Sequence, residues 1–426
     1  MGFIKNYDQL ASNDNRKLVL ELIEAAYTSI QPKNVFDNHF SVKGNILKIQ
    51  NKTFNLDDFE HIKLVGFGKG SAEMCRIIEH ALGERLHEGF DIDVIDEHNL
   101  GKIKYTLGTH PLPSEENIEY TKKVLEYLKG ADEKDLVLVV VCGGGSVLFE
   151  APYKIDLSTL TKVNDALLDS GATITEMNVI RRHLSRVKGG GLAKIVYPST
   201  VVSLLFSDVP GNDLSVIASG PTVRDHTSMT DVKKILDKYN LLDKVKIGND
   251  DFQETPNDDK YFKKVHNILM VSNHTALDAM EKKARELGKN SFILTDRLQG
   301  DARALGKDLI NQTPNGQILL AGGESTIKIT GNGKGGRNQA LVLSSLPHLK
   351  SSTVIASFGS DGWDYYKFAG AIADTETIKK AKSLGLDASE FLSDDNSYGF
   401  WEKIGEGIKT GKLESNVSDL FIVYKP

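Results

Sequence analysis

Residues 135 to 141 read DLVLVVV, apolar at every position after the first. A strand with one solvated face carries a polar residue at every second place, so a run without any needs cover on both faces. Helices supply such cover, and the chain is predicted to build a mostly parallel sheet flanked by helices. TVVSLLFSD at 200–208 is a second run of this kind. Short apolar runs alternate with helix-like stretches along most of the chain. IKLVGFG (62–68) precedes SAEMCRIIEHALGERL, and a helix to Leu128 opens with Ser114 as its cap. Later come NILMVSN, SFILTD, QILLAGG, IKIT (327–330), TVIASFG and DLFIVY, each read as a strand.

A polar stretch rich in Asp and Asn, residues 246–266, interrupts the pattern. With 426 residues the chain exceeds the ~250–300 that a single core accommodates. Two α/β domains are therefore expected, 1–245 and 267–426, with 246–266 as linker, a cleft between them, and C-terminal residues free to return to the first. Lys and Arg total 52 against 58 Asp and Glu, which argues against nucleic acid as a partner. Two cysteines, Cys75 and Cys142, are too few for a disulfide framework. The N-terminal residues lack the apolar core of a signal peptide, and no run approaches the ~20 apolar residues of a membrane span. The expectation is a cytoplasmic protein with small-molecule substrates, no nucleic acid and no membrane.

Glycine collects at the ends of the predicted strands, where open α/β sheets bind ligands. Gly66, Gly68 and Gly70 surround Lys69; Gly143, Gly144, Gly145 and Ser146 follow the most apolar run. Gly322, Gly323 and Glu324 follow another, and Gly359, Ser360 and Asp361 the last. One such loop is a tight turn; four, two of them holding a cation, describe a polyanion site. The densest is GNGKGGRNQA, 331 to 340. Its Gly331, Gly333 and Gly336 satisfy GxGxxG, a pattern shared by dinucleotide turns and kinase loops. A dinucleotide turn wants an acid about 20 residues on, and here the first acid after the next strand is Asp361. Lys334 and Arg337, beside Gly335, favour charge neutralisation in phosphoryl transfer instead, outside the P-loop class. Asp208, Glu324 and Asp361 are candidate carboxylates for Mg²⁺ or for the acceptor proton. Asp213 and Asp364 read as turn and cap residues, and His110 and His183 as structural. Arg181 and Lys188, leading into Gly189–Gly191, leave a contact to a substrate carboxylate open.

At these residues the sequence resembles the glycerate 2-kinases, whose C-terminal part is the MOFRL domain. The segments are GFGKGSA, CGGGSVLFEAP, NVIRRHLSRVKGGGLA, SDVPGNDLSVIASGPTVRD, AGGESTIKITGNGKGGRNQ, GSDGWD and SNVSDL, spanning about 62 to 420. The resemblance implies ATP-dependent, Mg²⁺-assisted phosphorylation of the 2-hydroxyl of D-glycerate to 2-phosphoglycerate. It implies a Rossmann-like parallel-sheet domain joined to a smaller α/β MOFRL domain. It puts the family's two catalytic cations at Lys69 and Arg337. Closure of the cleft is expected to bring these together, and Asp208, a candidate carboxylate from its place after a strand, to position or deprotonate the acceptor. Nucleotide phosphates are then expected at Gly68, Gly143, Gly144, Gly145, Ser146, Gly333, Lys334, Gly335 and Gly336, glycerate at Lys69, Arg181, Lys188 and Asp208, and metal at Glu324 and Asp361. A homodimer is left open. The chain departs from the family at SDGWDYYKFAGA (360–371), where small residues are common, and at TGKLESNV (410–417), where the family shows TGPTGTNV. The bulk at 363–366 is expected to alter nucleotide fit or acceptor choice. Three rivals stand beside this reading: an NAD(P)H-dependent hydroxypyruvate reductase, a non-catalytic phosphosugar binder, and a kinase of another small sugar acid.

Overall fold

The computed structural model describes residues 2–95, 100–350 and 352–426. They fall into two compact units, one of Phe36–Ser207 with Asn212–Met270, the other of the segments up to Val35, Asp208–Gly211 and from Val271 onward.

In the first unit β1 (Phe40–Lys43), β2 (Ile46–Ile49) and β3 (Lys52–Asn55) make a small antiparallel meander. The main sheet holds β4 (His61–Phe67), β5 (Leu86–Asp93), β6 (Ile103–Leu107), β7 (Asp135–Val141), β8 (Thr200–Phe206) and β9 (Val265–Val271). Their order is β6-β5-β4-β7-β8-β9, with β6 through β8 parallel. The strand order reverses between β4 and β7, as in doubly wound nucleotide-binding sheets. Every residue of β7 is buried, as its unbroken apolar run requires. Helix Ser71–Leu82 packs on β4, β5 and β7, burying Met74, Cys75, Ile78 and Leu82 at helical spacing. The helix Glu115–Tyr127 follows Ser114, whose hydroxyl bonds the Asn117 side chain at 3.2 Å rather than a helix amide.

Beneath the Ser71–Leu82 helix, Asp91 of β5 lies wholly buried with the Cys75 thiol 3.5 Å away. A Cβ on Gly66 would stand 2.3 Å from both, so that glycine serves packing and not a ligand. Burial, reinforced by Asp93, pushes Asp91 from its ordinary 3.8 up to about 7. The folded state therefore holds this proton more tightly than the unfolded chain. Asp91's contribution to stability is complete below pH ~4, falls as pH rises toward 7, and is level beyond. Asp91→Asn, a mimic of the protonated form, should escape that loss. Its advantage over the parent in urea unfolding is expected to widen from pH 4 to pH 7.

The second unit carries β10 (Asn290–Leu298), β11 (Gln317–Gly323), β12 (Val354–Gly359), β13 (Gly370–Ala373), β14 (Gly407–Ile408) and β15 (Asp419–Lys425) in the order β10-β11-β15-β12-β13-β14. β10 and β11 are parallel; β15 runs antiparallel between β11 and β12. Helix Asp14–Ile30 packs against helix Asn273–Glu286, with Glu21 and Lys283 paired at 3.1 Å. Its buried Arg16 reaches Asp374 and Glu406, each at 2.8 Å.

The sequence-based boundaries differ from these units. Residues 246–266 lie inside the first unit, and the residues up to Val35 belong to the second. The cause is the apolar face of helix Asp14–Ile30, where Val19, Ile23, Ala26 and Ile30 are buried. Residues 327–330, expected as a strand, form none; only an isolated bridge joins Thr326 to Asp301. Among the described residues no helix is long and apolar enough to cross a membrane.

Candidate active site

At the switch point of the first unit, the loops after β4 and β7 are clipped together. Lys69 N–H donates to Gly143 carbonyl at 2.8 Å, and Cys142 N–H to Phe67 carbonyl at 3.0 Å. Gly68 adopts φ +117°, and a Cβ there would sit 2.5 Å from the Cys142 carbonyl oxygen. Only glycine lets the loops approach this closely. The exposed Lys69 ammonium has no ion pair or hydrogen bond among the described residues, and the amides of Gly143 and Gly144 have no partner there either. Ser146 Oγ lies 2.8 Å from Ser219 Oγ. Ala218 and Ser219, at φ +49° and +60°, hold strained backbone against this loop.

His110 comes to the same place. A Cβ on Gly144 would stand 3.0 Å from His110 Cδ2 and 3.4 Å from Lys69 Cε, so both side chains converge on that bare backbone. Burial first, and Lys69 second, lower His110 to about 4, which leaves a neutral imidazole at physiological pH. Its ring has no hydrogen-bond partner among the described residues. Read from sequence as structural, His110 carried no spacing signal to mark it.

The helix that follows Lys69 does not offer its N-terminus to a ligand. Asp93 of β5 accepts from the amides of Gly70 and Ala72, at 2.9 and 3.4 Å. The groups left without a partner at this loop, among the described residues, are the lysine ammonium and the Gly143 and Gly144 amides. Lys188 also departs from expectation: it is buried, and its ammonium pairs with Glu150 inside the fold. Arg181 donates to Asn164 Oδ1 at 2.9 Å. A charge as far from water as that of Lys188 needs an internal partner, and Glu150 is one; Arg181 is half-buried.

In the second unit the antiparallel entry of β15 sets Asp419 opposite Gly323 of β11 and Gly359 of β12. A predicted final strand does not disclose that reversal, so sequence reading missed Asp419. Arg337, first residue of helix Arg337–Ser345, grips it with Nε at 2.6 Å and Nη2 at 3.3 Å, and places Nη1 2.7 Å from Glu324. Burial works against the guanidinium charge; Asp419, then Glu324, overcome it and raise the Arg337 pKa. Asp364 accepts from the amides of Asn338 and Gln339, at 3.2 and 2.9 Å, and so caps this helix as its sequence reading expects. Asp213 accepts from Ser215 N–H at 2.9 Å, a turn contact, again as expected.

The glycines of 331–336 answer to the protein. Gly331 N–H donates to Asp395 at 2.6 Å, Gly333 N–H to Asp394 carbonyl at 2.8 Å, and Lys334 N–H to Asn396 at 3.4 Å. A Cβ on Gly335, at φ +139°, would fall 2.0 Å from Ser397 Oγ. The loop lies flat on residues 394–398, with the Lys334 ammonium 4.9 Å over the Tyr366 ring. With no strand before it and Asp364 on the helix amides after it, the strand–turn–helix context of a dinucleotide turn is missing.

Asp208 belongs to the same unit as Arg337, because its carbonyl accepts from the Ser418 hydroxyl next to Asp419. Asp361 accepts from Trp363 N–H at 3.0 Å. Glu324, expected as a metal ligand, is drawn to Arg337 instead. Among the described residues no group of three or more His, Cys, Asp or Glu side chains could hold a metal alone. Arg337, Asp361 and Asp419 line a cavity of about 400 Å³ whose rim carries Ile329, Trp363 and Tyr365.

Residues 18–248 match the family model described as a domain of unknown function, DUF4147, and residues 317–419 match the MOFRL family. The chain is similar to glycerate 2-kinase of Pyrococcus horikoshii, 34% identical over 96% of this chain and 97% of that protein. It is equally similar to D-glycerate 2-kinase of Thermotoga maritima, at 34% with the same coverage. A protein of Agrobacterium vitis named putative hydroxypyruvate reductase is 34% identical over 84% of this chain and 85% of its own length. The crystal structure of glycerate kinase from Thermotoga maritima superposes with a TM-score of 0.86 at 32% identity, covering 96% of this chain and 99% of that one.

Proposed function

Since the chain belongs to the glycerate 2-kinase family with its MOFRL domain, we propose that it transfers the γ-phosphoryl group of ATP to the 2-hydroxyl of D-glycerate, giving 2-phosphoglycerate. The observation that carries this reading is the unpartnered Lys69 ammonium at the β4–β7 switch point, beside two free amides and a neutral imidazole. An isolated cation surrounded by bare backbone suits a ligand rich in anionic oxygen.

In this reading Lys69 and Arg337 neutralise charge on the transferring group, which passes through a loose, highly anionic transition state. Gly143, Gly144 and Ser146 bind oxygen atoms of phosphate or carboxylate, and His110 adds an uncharged hydrogen-bonding group. Asp208 orients the acceptor hydroxyl and takes its proton. Gly333, Lys334, Gly335 and Gly336 act by shaping the loop that carries Arg337, and Arg181 and Lys188 have no part. Were Mg²⁺ to accompany ATP, Asp361 would be the carboxylate that holds it, and the ion would offset phosphate charge.

A coupled assay for ADP over a panel of small hydroxy acids tests the proposal. D-Glycerate is expected to give the highest kcat/KM, with product consumed by an enzyme specific for 2-phosphoglycerate. NADH oxidation with hydroxypyruvate and no ADP from any acid would install the reductase in its place.

A further inference from the structure

The cavity at Arg337 has a character that a three-carbon acid does not explain. At about 400 Å³ it lies within the ~300–1,000 Å³ usual for small-ligand sites. Three of the large apolar side chains that the fold leaves exposed stand around it: Ile329 at 58%, Trp363 at 40% and Tyr365 at 75%. Exposed apolar groups scattered singly are ordinary, whereas several at the mouth of one cavity mark a binding surface. Trp363 and Tyr365 also sit where this chain departs from its family.

Glycerate has a carboxylate and two hydroxyls and nothing that would cover an indole. A planar heterocycle on a phosphorylated ribose matches both ends: rings against Trp363, Tyr365 and Ile329, phosphates toward Arg337. A cation also stands near one of these rings, Lys412 at 5.2 Å over Trp363.

We propose that this cavity is the base slot for the nucleotide, with Trp363 and Tyr365 stacking on a purine ring. It rests on the kinase reading above, and names the end of the substrate that this rim holds. Because every base has a π face, stacking of this kind tolerates different purines.

The two tryptophans make the test direct. Trp401 is buried, with Nε1–H donating to Gln339 carbonyl at 2.9 Å, so a ligand at the cavity rim reports through Trp363. ADP is expected to quench the parent's fluorescence and tripolyphosphate, which has no ring, to leave it unchanged. Trp363→Phe should keep a stacking ring but erase the quench. Trp363→Ala should raise the KM for ATP about tenfold or more, with the KM for the acceptor acid little changed. A parent that turns over, with ADP affinity by calorimetry equal in Trp363→Ala, overturns the slot. A parent that releases no ADP with any acid, yet is quenched by ADP through Trp363, overturns the kinase and leaves the slot standing.

Discussion

Lys69→Ala is expected to lower kcat/KM by ~10²–10³-fold or more while the melting temperature stays within about a degree of the parent's. Both halves follow from the same observation. The ammonium makes no ion pair or hydrogen bond among the described residues, so its removal leaves no internal group unsatisfied. The loop around it is kept in place by backbone bonds from Lys69 N–H to Gly143 and from Cys142 N–H to Phe67, which alanine retains. What is lost is a charge aimed outward, and a near-normal rate would remove Lys69 from the mechanism. Lys69→Arg should recover part of the rate, because it restores charge but not the compact geometry of an ammonium.

Arg337→Ala should cost turnover on a similar scale and, unlike the first variant, stability as well. Asp419 is 2% exposed and lies in the sheet between β11 and β12. Without the guanidinium its carboxylate keeps the Asn338 amide at 2.9 Å but no compensating charge. Breaking a buried pair costs about 3–5 kcal/mol. With the Arg337 side chain 33% exposed, water screens part of this, and about 2–3 kcal/mol is expected. In a unit of this size that is a fall of roughly 5–10 °C in melting temperature. The pair Arg337→Ala, Asp419→Asn separates the two effects: stability should return toward the parent's while turnover remains low. If the double variant melts as low as the single one, the Asp419 charge is not the cause.

The parts of this molecule legible in its sequence are those set by local pattern. The apolar run of β7 demanded two covered faces, and glycine next to Lys69 marked a strand end before its neighbours were known. Asp364, read as a cap, caps. Partnerships across strands were not legible. Asp419 occupies its place through the antiparallel sense of β15, and Asp93 reaches the Gly70 amide from 23 residues on. Lys188 looked available because it leads into the bare loop Gly189–Gly191, and Glu150, 38 residues away, carries no mark of pairing with it. The glycines of 331–336 suggested a cradle, yet their bare backbone is needed by the turn at 394–398, a neighbour that composition cannot reveal.

Helix Asp14–Ile30 has a further consequence, for synthesis rather than for catalysis. Its apolar face is buried against Asn273–Glu286, which the ribosome produces roughly 240 residues later, or about 12–50 s at 5–20 residues per second. Throughout that interval the nascent chain carries Val19, Ile23 and Ile30 without their final cover, while the intervening segment can already complete its own sheet. A chaperone that recognises short amphipathic segments would find its target in this helix, long before the second unit is complete.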